Sequence, residues 1–216
     1  MKDKRPQYIA AGASLLLALS FGASLLTTGT GGTIADKPTT PPAQVTEAPE
    51  PTPSLSETWS NDGSQLTTRL LDIDLDPETQ WAIYQECGSD NRLFCTAMAI
   101  AYRETGGTFQ ADAVGDNGGS IGMFQINTRW HIDRMERLGV TDLTNPVQCA
   151  AVAVDYLKEL VDRYSFEPES EALLMGYNMG PGGARKALAA GTTSTEYSRE
   201  VWAAYQDYLK EMEADK

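Results

Sequence analysis

The stretch that decides the fold is residues 91–107, NRLFCTAMAIAYRETGG. Its apolar side chains recur every three or four residues, the spacing that places them on one face of an α-helix. The residues on that face are Leu93, Ala97, Ile100 and Ala101. Asn91 is a residue type that caps helix starts, and the pair Gly106-Gly107 is typical of a helix end. We therefore expect a helix over residues 93–104 whose apolar face packs into a core.

Glu104 stands at the C-terminal end of this predicted helix. It follows Ala101 by three residues and Ile100 by four, so its side chain projects from the apolar face. Both the helix dipole and burial disfavour a negative charge there, and both raise the pKa of a carboxyl group. A proton held near neutral pH is what general-acid catalysis on a glycosidic oxygen requires. The alternative is a structural ion pair with Arg103 or with a distant arginine.

Three motifs accompany Glu104 along the chain. They are RETGGTFQADA at residues 103–113, GSIGMFQIN at 119–127 and GYNMGPG at 176–182. In this order and spacing they resemble the lytic transglycosylases of the lysozyme-like superfamily, of the soluble-lytic-transglycosylase type. The resemblance covers about residues 80–205.

The resemblance implies an all-α, lysozyme-like domain with a groove for the glycan strand of peptidoglycan. Glu104 matches the catalytic acid of the family. The positions that match its substrate-binding residues are Phe124, Gln125, Tyr177 and Asn178. Amide and hydroxyl groups of this kind hydrogen-bond the N-acetyl and ring substituents of sugars.

Three positions depart from the family's pattern. Thr105 stands where the family usually has Ser, Asp116 where a Ser is common, and Thr193 near a position often occupied by Glu. Tyr197 of the same last motif is retained. The changes at Asp116 and Thr193 affect the expected sugar contacts and leave the catalytic acid in place.

Glu104 is the one good candidate for a catalytic carboxyl, whereas ordinary glycosidases use two. Asp112 and Asp116 lie in a polar turn, where a solvated role is expected. We therefore expect a reaction with one carboxyl group, which cleaves the bond between N-acetylmuramic acid and N-acetylglucosamine and leaves a 1,6-anhydro end. Two alternatives stay open: a goose-type muramidase that hydrolyses the same bond, and a non-catalytic wall-binding protein on the same fold.

The rest of the domain, residues 65–216, is also predicted to be helical, and no segment indicates a strand. Pro77 opens one helix after Asp76, and Pro146 introduces a helix over residues 148–164. Three more are expected over residues 171–178, 184–190 and 196–212. A domain of about 150 residues is large enough to bury a core.

The N-terminal part predicts an exported protein. Lys2, Lys4 and Arg5 precede an uncharged apolar run over residues 9–26, typical of a cleaved signal peptide or of an uncleaved membrane anchor, which we assign to residues 1–35. Residues 36–64 hold six of the eleven prolines and are predicted to form a disordered linker. The domain is then extracytoplasmic, either anchored or secreted to the cell wall.

Charge and residue counts limit the partners. The formal charge of −13 divides into +2 for residues 1–35, −4 for the linker and −11 for the domain. This acidic balance argues against nucleic-acid binding, and one His with three scattered Cys argues against a zinc cluster. We expect a monomer without cofactor or metal, whose partner is the peptidoglycan strand.

Five further residues carry expectations. We expect His131 at the surface or groove edge, and Trp130 either stacked on a sugar or packed in the core or groove edge. Three cysteines are an odd number for an exported protein, so at most one pair forms; the candidates are Cys87 with Cys95, or Cys95 with Cys149.

Overall fold

The computed structural model describes residues 70–214, and this part of the chain is mostly helical. Its elements are α1 (Pro77–Glu86), α2 (Asn91–Glu104), β1 (Val114–Gly115), a 3-10 turn (Asp116–Gly118), β2 (Ser120–Ile121), β3 (Ile126–Asn127), α3 (Thr128–Leu138), α4 (Pro146–Asp162), α5 (Glu171–Ala189) and α6 (Glu196–Glu213). The prediction of an all-α domain is confirmed.

Helix α2 lies at the centre of the core. Residues 94–101 are all buried, and most of them are small, which lets neighbouring helices approach closely. Helix α6 packs along α2, while α4 packs against α1 and α5. The helix begins two residues earlier than predicted, because Asp90 rather than Asn91 is the cap. The Asp90 Oδ1 accepts hydrogen bonds from the backbone N–H groups of Arg92 (2.8 Å) and Leu93 (3.1 Å). The end at Glu104 is as expected.

The other helix starts follow ordinary capping chemistry. Asp76 caps α1 and Asn145 caps α4, each just before a proline in the first turn. Thr195 and Ser198 form a reciprocal capping box at the start of α6. These bonds fix the ends of the helices that carry the site.

The structure contains a small sheet, although no strand was predicted. Its three strands are antiparallel, with β2 in the middle, and pair Val114 with Ile121 and Ser120 with Asn127. Each strand has two residues, too few for an alternating pattern to register in the sequence. The turn between β1 and β2 has Asp116, Asn117 and Gly118 in succession at positive φ.

Two helices also differ from expectation. Helix α3 was not predicted, because it is rich in polar and charged residues; none of its residues is buried. It is capped by Asn127 and ends at Gly139, whose φ of 69° favours glycine. Helix α5 unites the two segments predicted at residues 171–178 and 184–190, with a break in the backbone at Gly180 (φ 74°) just before Pro181.

Neither of the two candidate cysteine pairs is formed in this structure. Cys87, Cys95 and Cys149 are all buried and free. Burial raises the pKa of each thiol to about 12, so all three remain protonated and unreactive. Cys149 fills the space beside Gly122, where a Cβ atom would lie 2.7 Å from the Cys149 Sγ and 2.1 Å from the carbonyl oxygen of Leu143.

The predicted N-terminal segment (residues 1–35) and linker (36–64) lie outside the described residues, and the domain boundaries stay predictions. Within residues 70–214, every helix is too short or too polar to cross a membrane.

Candidate active site

Glu104 is the last residue of α2, and its side chain is partly buried. One carboxylate oxygen, Oε1, accepts a hydrogen bond from the Tyr197 hydroxyl at 2.8 Å. Tyr197 is buried in the first turn of α6, 93 residues along the chain. The packing of α6 along α2 therefore brings a hydroxyl donor to the end of the helix that carries the acid.

The neighbouring Arg103 does not neutralise Glu104 through an ion pair. Its guanidinium group is paired with Glu200 on α6 and lies 5.7 Å from the centre of the Tyr197 ring. Among the ion pairs of residues 70–214, none includes Glu104. Within these residues, Glu104 therefore does not form the structural ion pair that was the alternative to a catalytic role.

The surroundings of Glu104 favour its protonated form. Burial raises the pKa of the Glu104 carboxyl to about 7, and the charge of Asp116 acts in the same direction. The Tyr197 hydrogen bond and the positive charge of Arg103 oppose this rise, because each stabilises the carboxylate. Near neutral pH the group is thus able to give and to take a proton, as the sequence predicted from its position.

The backbone turns away sharply after Glu104. Thr105 closes the helix: its hydroxyl donates to the carbonyl oxygen of Ala101 (2.7 Å) and accepts from the backbone N–H of Phe109 (2.9 Å). Gly107 adopts a φ of 85°, and a Cβ atom there would lie 2.8 Å from the ring of Tyr102. The glycine pair is therefore needed for the tight exit that leaves the Glu104 side chain accessible.

The Gln125 side chain stabilises the small sheet by hydrogen bonds to the backbone on either side of it. Its Nε2 donates to the carbonyl oxygens of Ala113 (3.2 Å) and Gly122 (3.0 Å). Gly115 leaves room for its Oε1, since a Cβ atom at that position would lie 2.2 Å away. Both amide hydrogens are committed to the backbone, so Oε1 is the atom of this side chain that remains able to accept a hydrogen bond.

The other predicted substrate-binding residues fall in three different environments. The Phe124 side chain is fully buried in the core, so it does not offer a contact surface to a glycan. Its carbonyl oxygen accepts a hydrogen bond at 2.9 Å from the hydroxyl of Tyr177, which is half-buried. Asn178 is exposed on α5. The bond from Tyr177 joins α5 to the loop that carries Gln125.

Comparison with known proteins agrees with this arrangement. The family model described as Transglycosylase SLT domain matches residues 88–199, more than half of the chain. The chain belongs to this family. The match runs from the residues before α2 into the first turn of α6, so it includes both Glu104 and Tyr197. The resemblance drawn from the three motifs is confirmed, and the fold is the lysozyme-like one that the SLT domain implies.

The curated relatives of this SLT domain are more distant. Lysozyme g of Casuarius casuarius is 26% identical over 114 residues, 52% of this chain and 62% of that protein. Lysozyme G of Dromaius novaehollandiae and Lysozyme g of Struthio camelus are each 28% identical over 96 residues, 44% of this chain and 47% of each relative. The chain thus matches about half of the length of these relatives. No solved structure matches it.

One partner of the acid, Tyr197, was not among the predicted site residues of the SLT domain. Only the retained family motif pointed to it, since no local pattern relates two residues so far apart in the chain. Asp116, by contrast, is exposed as expected, and its Oδ2 accepts a hydrogen bond from the Ser120 hydroxyl at 2.6 Å.

His131 and Trp130 occupy opposite environments on α3 of the SLT domain. His131 is half-buried with its ring edge-on to Tyr156 at 4.8 Å, and it accepts a hydrogen bond from Arg134 at Nδ1. Burial, followed by the charge of Arg134, lowers the His131 pKa to about 4, so the ring is neutral. Trp130 is 72% exposed and is not part of the core. Within residues 70–214, no cluster of acidic, His or Cys side chains is arranged to hold a metal ion.

Proposed function

We propose that the protein cleaves the bond between N-acetylmuramic acid and N-acetylglucosamine in peptidoglycan, with Glu104 as its single catalytic carboxyl group. The observation that carries the proposal is the state of Glu104: a partly buried acid, hydrogen-bonded by Tyr197, with a pKa raised to about 7. Membership of the SLT family supports the choice of substrate. A surface glutamate in an ion pair would have its pKa lowered instead.

In the first step Glu104 acts as a general acid. It gives its proton to the glycosidic oxygen as the bond from that oxygen to C1 of the muramic acid residue breaks, and the bonding electrons stay on the oxygen. The carbonyl oxygen of the substrate's own acetamido group then bonds to C1 and stabilises the positive charge. The Tyr197 hydrogen bond to Oε1 orients the carboxyl group and leaves Oε2 free to carry the proton.

In the second step Glu104, now ionised, acts as a base. It takes the proton from the C6 hydroxyl of the same sugar while the oxygen of that hydroxyl bonds to C1 and displaces the acetamido oxygen. The product carries a 1,6-anhydro bridge, no water is consumed, and Glu104 regains its proton. A pKa near neutrality suits both steps, because the same group must release and recover one proton.

Two polar side chains are suited to bind the strand. The exposed amide of Asn178 offers both a donor and an acceptor to the acetamido and hydroxyl groups of a sugar. Gln125 offers the Oε1 acceptor, while its Nε2 keeps the sheet in place. The Tyr177 hydroxyl donates a hydrogen bond to the Phe124 carbonyl oxygen, which joins α5 to the loop that carries Gln125.

The second candidate function is hydrolysis of the same bond, as in a goose-type muramidase. Two observations favour it. The curated relatives are goose-type lysozymes, and Asp116 is a second carboxylate whose charge raises the Glu104 pKa. A carboxylate there would have to position a water molecule as nucleophile. The products distinguish the two reactions, since hydrolysis yields reducing ends and the one-carboxyl reaction yields 1,6-anhydro ends.

A turbidity assay on purified cell walls tests whether the protein is an enzyme. We expect the wild type to clear the suspension and Glu104→Gln to lose clearing while keeping its fold by circular dichroism. Glu200→Gln is the matched control, since it removes a carboxylate bound to Arg103 rather than the acid itself. Clearing by Glu104→Gln would refute the assignment, and no clearing by the wild type would leave the wall-binding alternative in its place.

We also propose that the enzyme works outside the cytoplasm, held near the membrane or released to the wall by its N-terminal segment. This part of the proposal rests on the basic residues and the apolar run before residue 27. Cell fractionation followed by N-terminal sequencing tests it, because a cleaved signal changes the first residue and an anchor does not.

A further inference from the structure

Trp130 is the most exposed large apolar side chain of residues 70–214, at 72% of its surface. An indole left in water adds nothing to the core, and tryptophan is enriched at interfaces, where one end of the side chain is apolar and the other can hydrogen-bond. Ile132, two residues further along α3, is also exposed, at 49%. The fold itself therefore gives no reason for a tryptophan at this position.

The start of α3 adjoins the turn that contains Asp116. The backbone N–H of Thr128 donates to the carbonyl oxygen of Gly119 at 3.1 Å, and that of Gly119 donates to the carbonyl oxygen of Asp116 at 3.1 Å. Burial is the main cause of the raised Glu104 pKa, and the charge of Asp116 adds to it. Trp130 thus stands in the first turn of a helix that is hydrogen-bonded to this turn.

Side chains on the inner face of α3 contact α4, which in turn contacts Tyr177 on α5. The His131 ring packs edge-on against Tyr156 at 4.8 Å, and Tyr156 lies 5.6 Å from Tyr177. Arg134, the next inward residue, is held by Asp155 at 2.7 Å. These contacts hold α3, the helix that carries Trp130, against α4 and link it to Tyr177.

One face of the indole already has a partner. The Arg129 guanidinium lies 5.1 Å from the centre of the Trp130 ring, a distance typical of cation–π contact. This contact restrains the ring, yet 72% of the Trp130 surface stays exposed. A flat aromatic face matches the apolar C–H face of a pyranose ring.

We propose that Trp130 stacks on a sugar of the β-1,4-linked N-acetylamino-sugar strand and holds it beside Glu104. The inference rests on the proposed function for the identity of the strand and adds a specificity-determining residue to it. Trp130 acts in binding and does not touch the reacting bond, so its loss changes KM and leaves the chemical step in place.

The first experiment measures turnover of purified peptidoglycan by Trp130→Ala, with Ile132→Ala as the matched control on the same helix. We expect Trp130→Ala to raise KM about tenfold, as for an aromatic anchor removed from an interface, with kcat within about twofold of wild type. Trp130→Phe should recover most of the loss because it restores an aromatic face. Ile132→Ala should match the wild type.

The second experiment measures binding without turnover, so that it does not depend on the reaction. In the full chain carrying Glu104→Gln, a soluble N-acetylglucosamine hexasaccharide should quench the tryptophan fluorescence. The chain has four tryptophans, so the quenched one is identified by substitution. Adding Trp130→Phe should remove the quench. Trp202 lies on α6 in a separate depression of about 590 Å³, together with Tyr205 and Leu209. Adding Trp202→Phe should therefore leave the quench in place.

The two experiments separate failure of the inference from failure of the proposed function. An unchanged KM for Trp130→Ala, a fall in kcat alone, or a quench that survives Trp130→Phe would overturn the role of Trp130. If the wild type shows no turnover, the proposed function fails, and the hexasaccharide quench still decides whether Trp130 binds sugar. An absence of any quench in the Glu104→Gln chain would also overturn the inference.

Discussion

The hydrogen bond from Tyr197 to Glu104 makes a quantitative prediction about the pH dependence of the enzyme. Tyr197→Phe removes the hydroxyl that donates to Oε1 at 2.8 Å and keeps the ring beside Arg103. A hydrogen bond to a charged group contributes about 1.5–3 kcal/mol, and one pKa unit corresponds to about 1.4 kcal/mol. Because the bond stabilises the carboxylate, its loss should raise the Glu104 pKa by about one to two units.

The assay is the dependence of kcat/KM on pH with solubilised peptidoglycan as substrate. In the wild type, activity should fall as pH rises through about 7, where Glu104 loses the proton that it donates. In Tyr197→Phe this alkaline limb should move upward by about one to two pH units.

The matched control for this prediction is Tyr205→Phe. Tyr205 is on the same helix and donates to the Glu169 carboxylate at the same distance of 2.8 Å, so its removal is an equal chemical change away from Glu104. It should leave the limb in place. An alkaline limb that stays where it was in Tyr197→Phe, or moves downward, would refute the role given to this bond.

Three further predictions concern charge. Burial raises the Glu104 pKa from 4.5 to about 7, so the folded protein binds this proton more tightly than the unfolded chain does. The stabilisation that comes from protonated Glu104 is complete below about pH 4.5. It is lost as pH rises through 7. Denaturant titration should therefore find Glu104→Gln more stable than the wild type at pH 8, by as much as about 3 kcal/mol, but not at pH 4; equal differences at both pH values would contradict this. Asp116→Asn should move the alkaline limb of kcat/KM to lower pH, because it removes a negative charge that raises the Glu104 pKa. Asp112→Asn should leave the pH of this limb unchanged. The domain carries a net charge of −11 and peptidoglycan walls are polyanionic, so charge repels the two. In a pull-down assay, wall binding by Glu104→Gln should therefore strengthen or barely change with added salt. A steep loss of binding would show that charge attraction holds the complex.

The sequence was sufficient where local physics decides the structure. The apolar period of α2, the Asp76-Pro77 pair of α1 and Pro146 of α4 predicted those helices, because each signal lies within a few residues of the element it specifies. The same holds for the raised pKa of Glu104, which follows from its place at the end of an apolar helix face.

The sequence was insufficient where distant contacts decide. The three short strands form through left-handed turns and through the Gln125 bonds to the backbone of Ala113 and Gly122, none of which has a periodic signature. Phe124 lies within a groove motif, but its side chain is buried in the core, as is that of the neighbouring Met123. Tyr197 reaches Glu104 only through the packing of α6 on α2.

The state of the cysteines also depends on packing. An odd count in an exported chain allows at most one disulfide, but the count says nothing of where the thiols lie. Cys149 occupies space left by Gly122, and burial keeps each of the three thiols protonated. Packing, which the sequence does not reveal, gives these residues their role.

The most direct test of the central claim is the mass of the products released from purified peptidoglycan in water enriched in ¹⁸O. If Glu104 alone transfers one proton back and forth, the wild type releases 1,6-anhydro muropeptides that contain no ¹⁸O, and Glu104→Gln releases none. Reducing ends labelled with ¹⁸O would contradict the one-carboxyl reaction and establish hydrolysis instead.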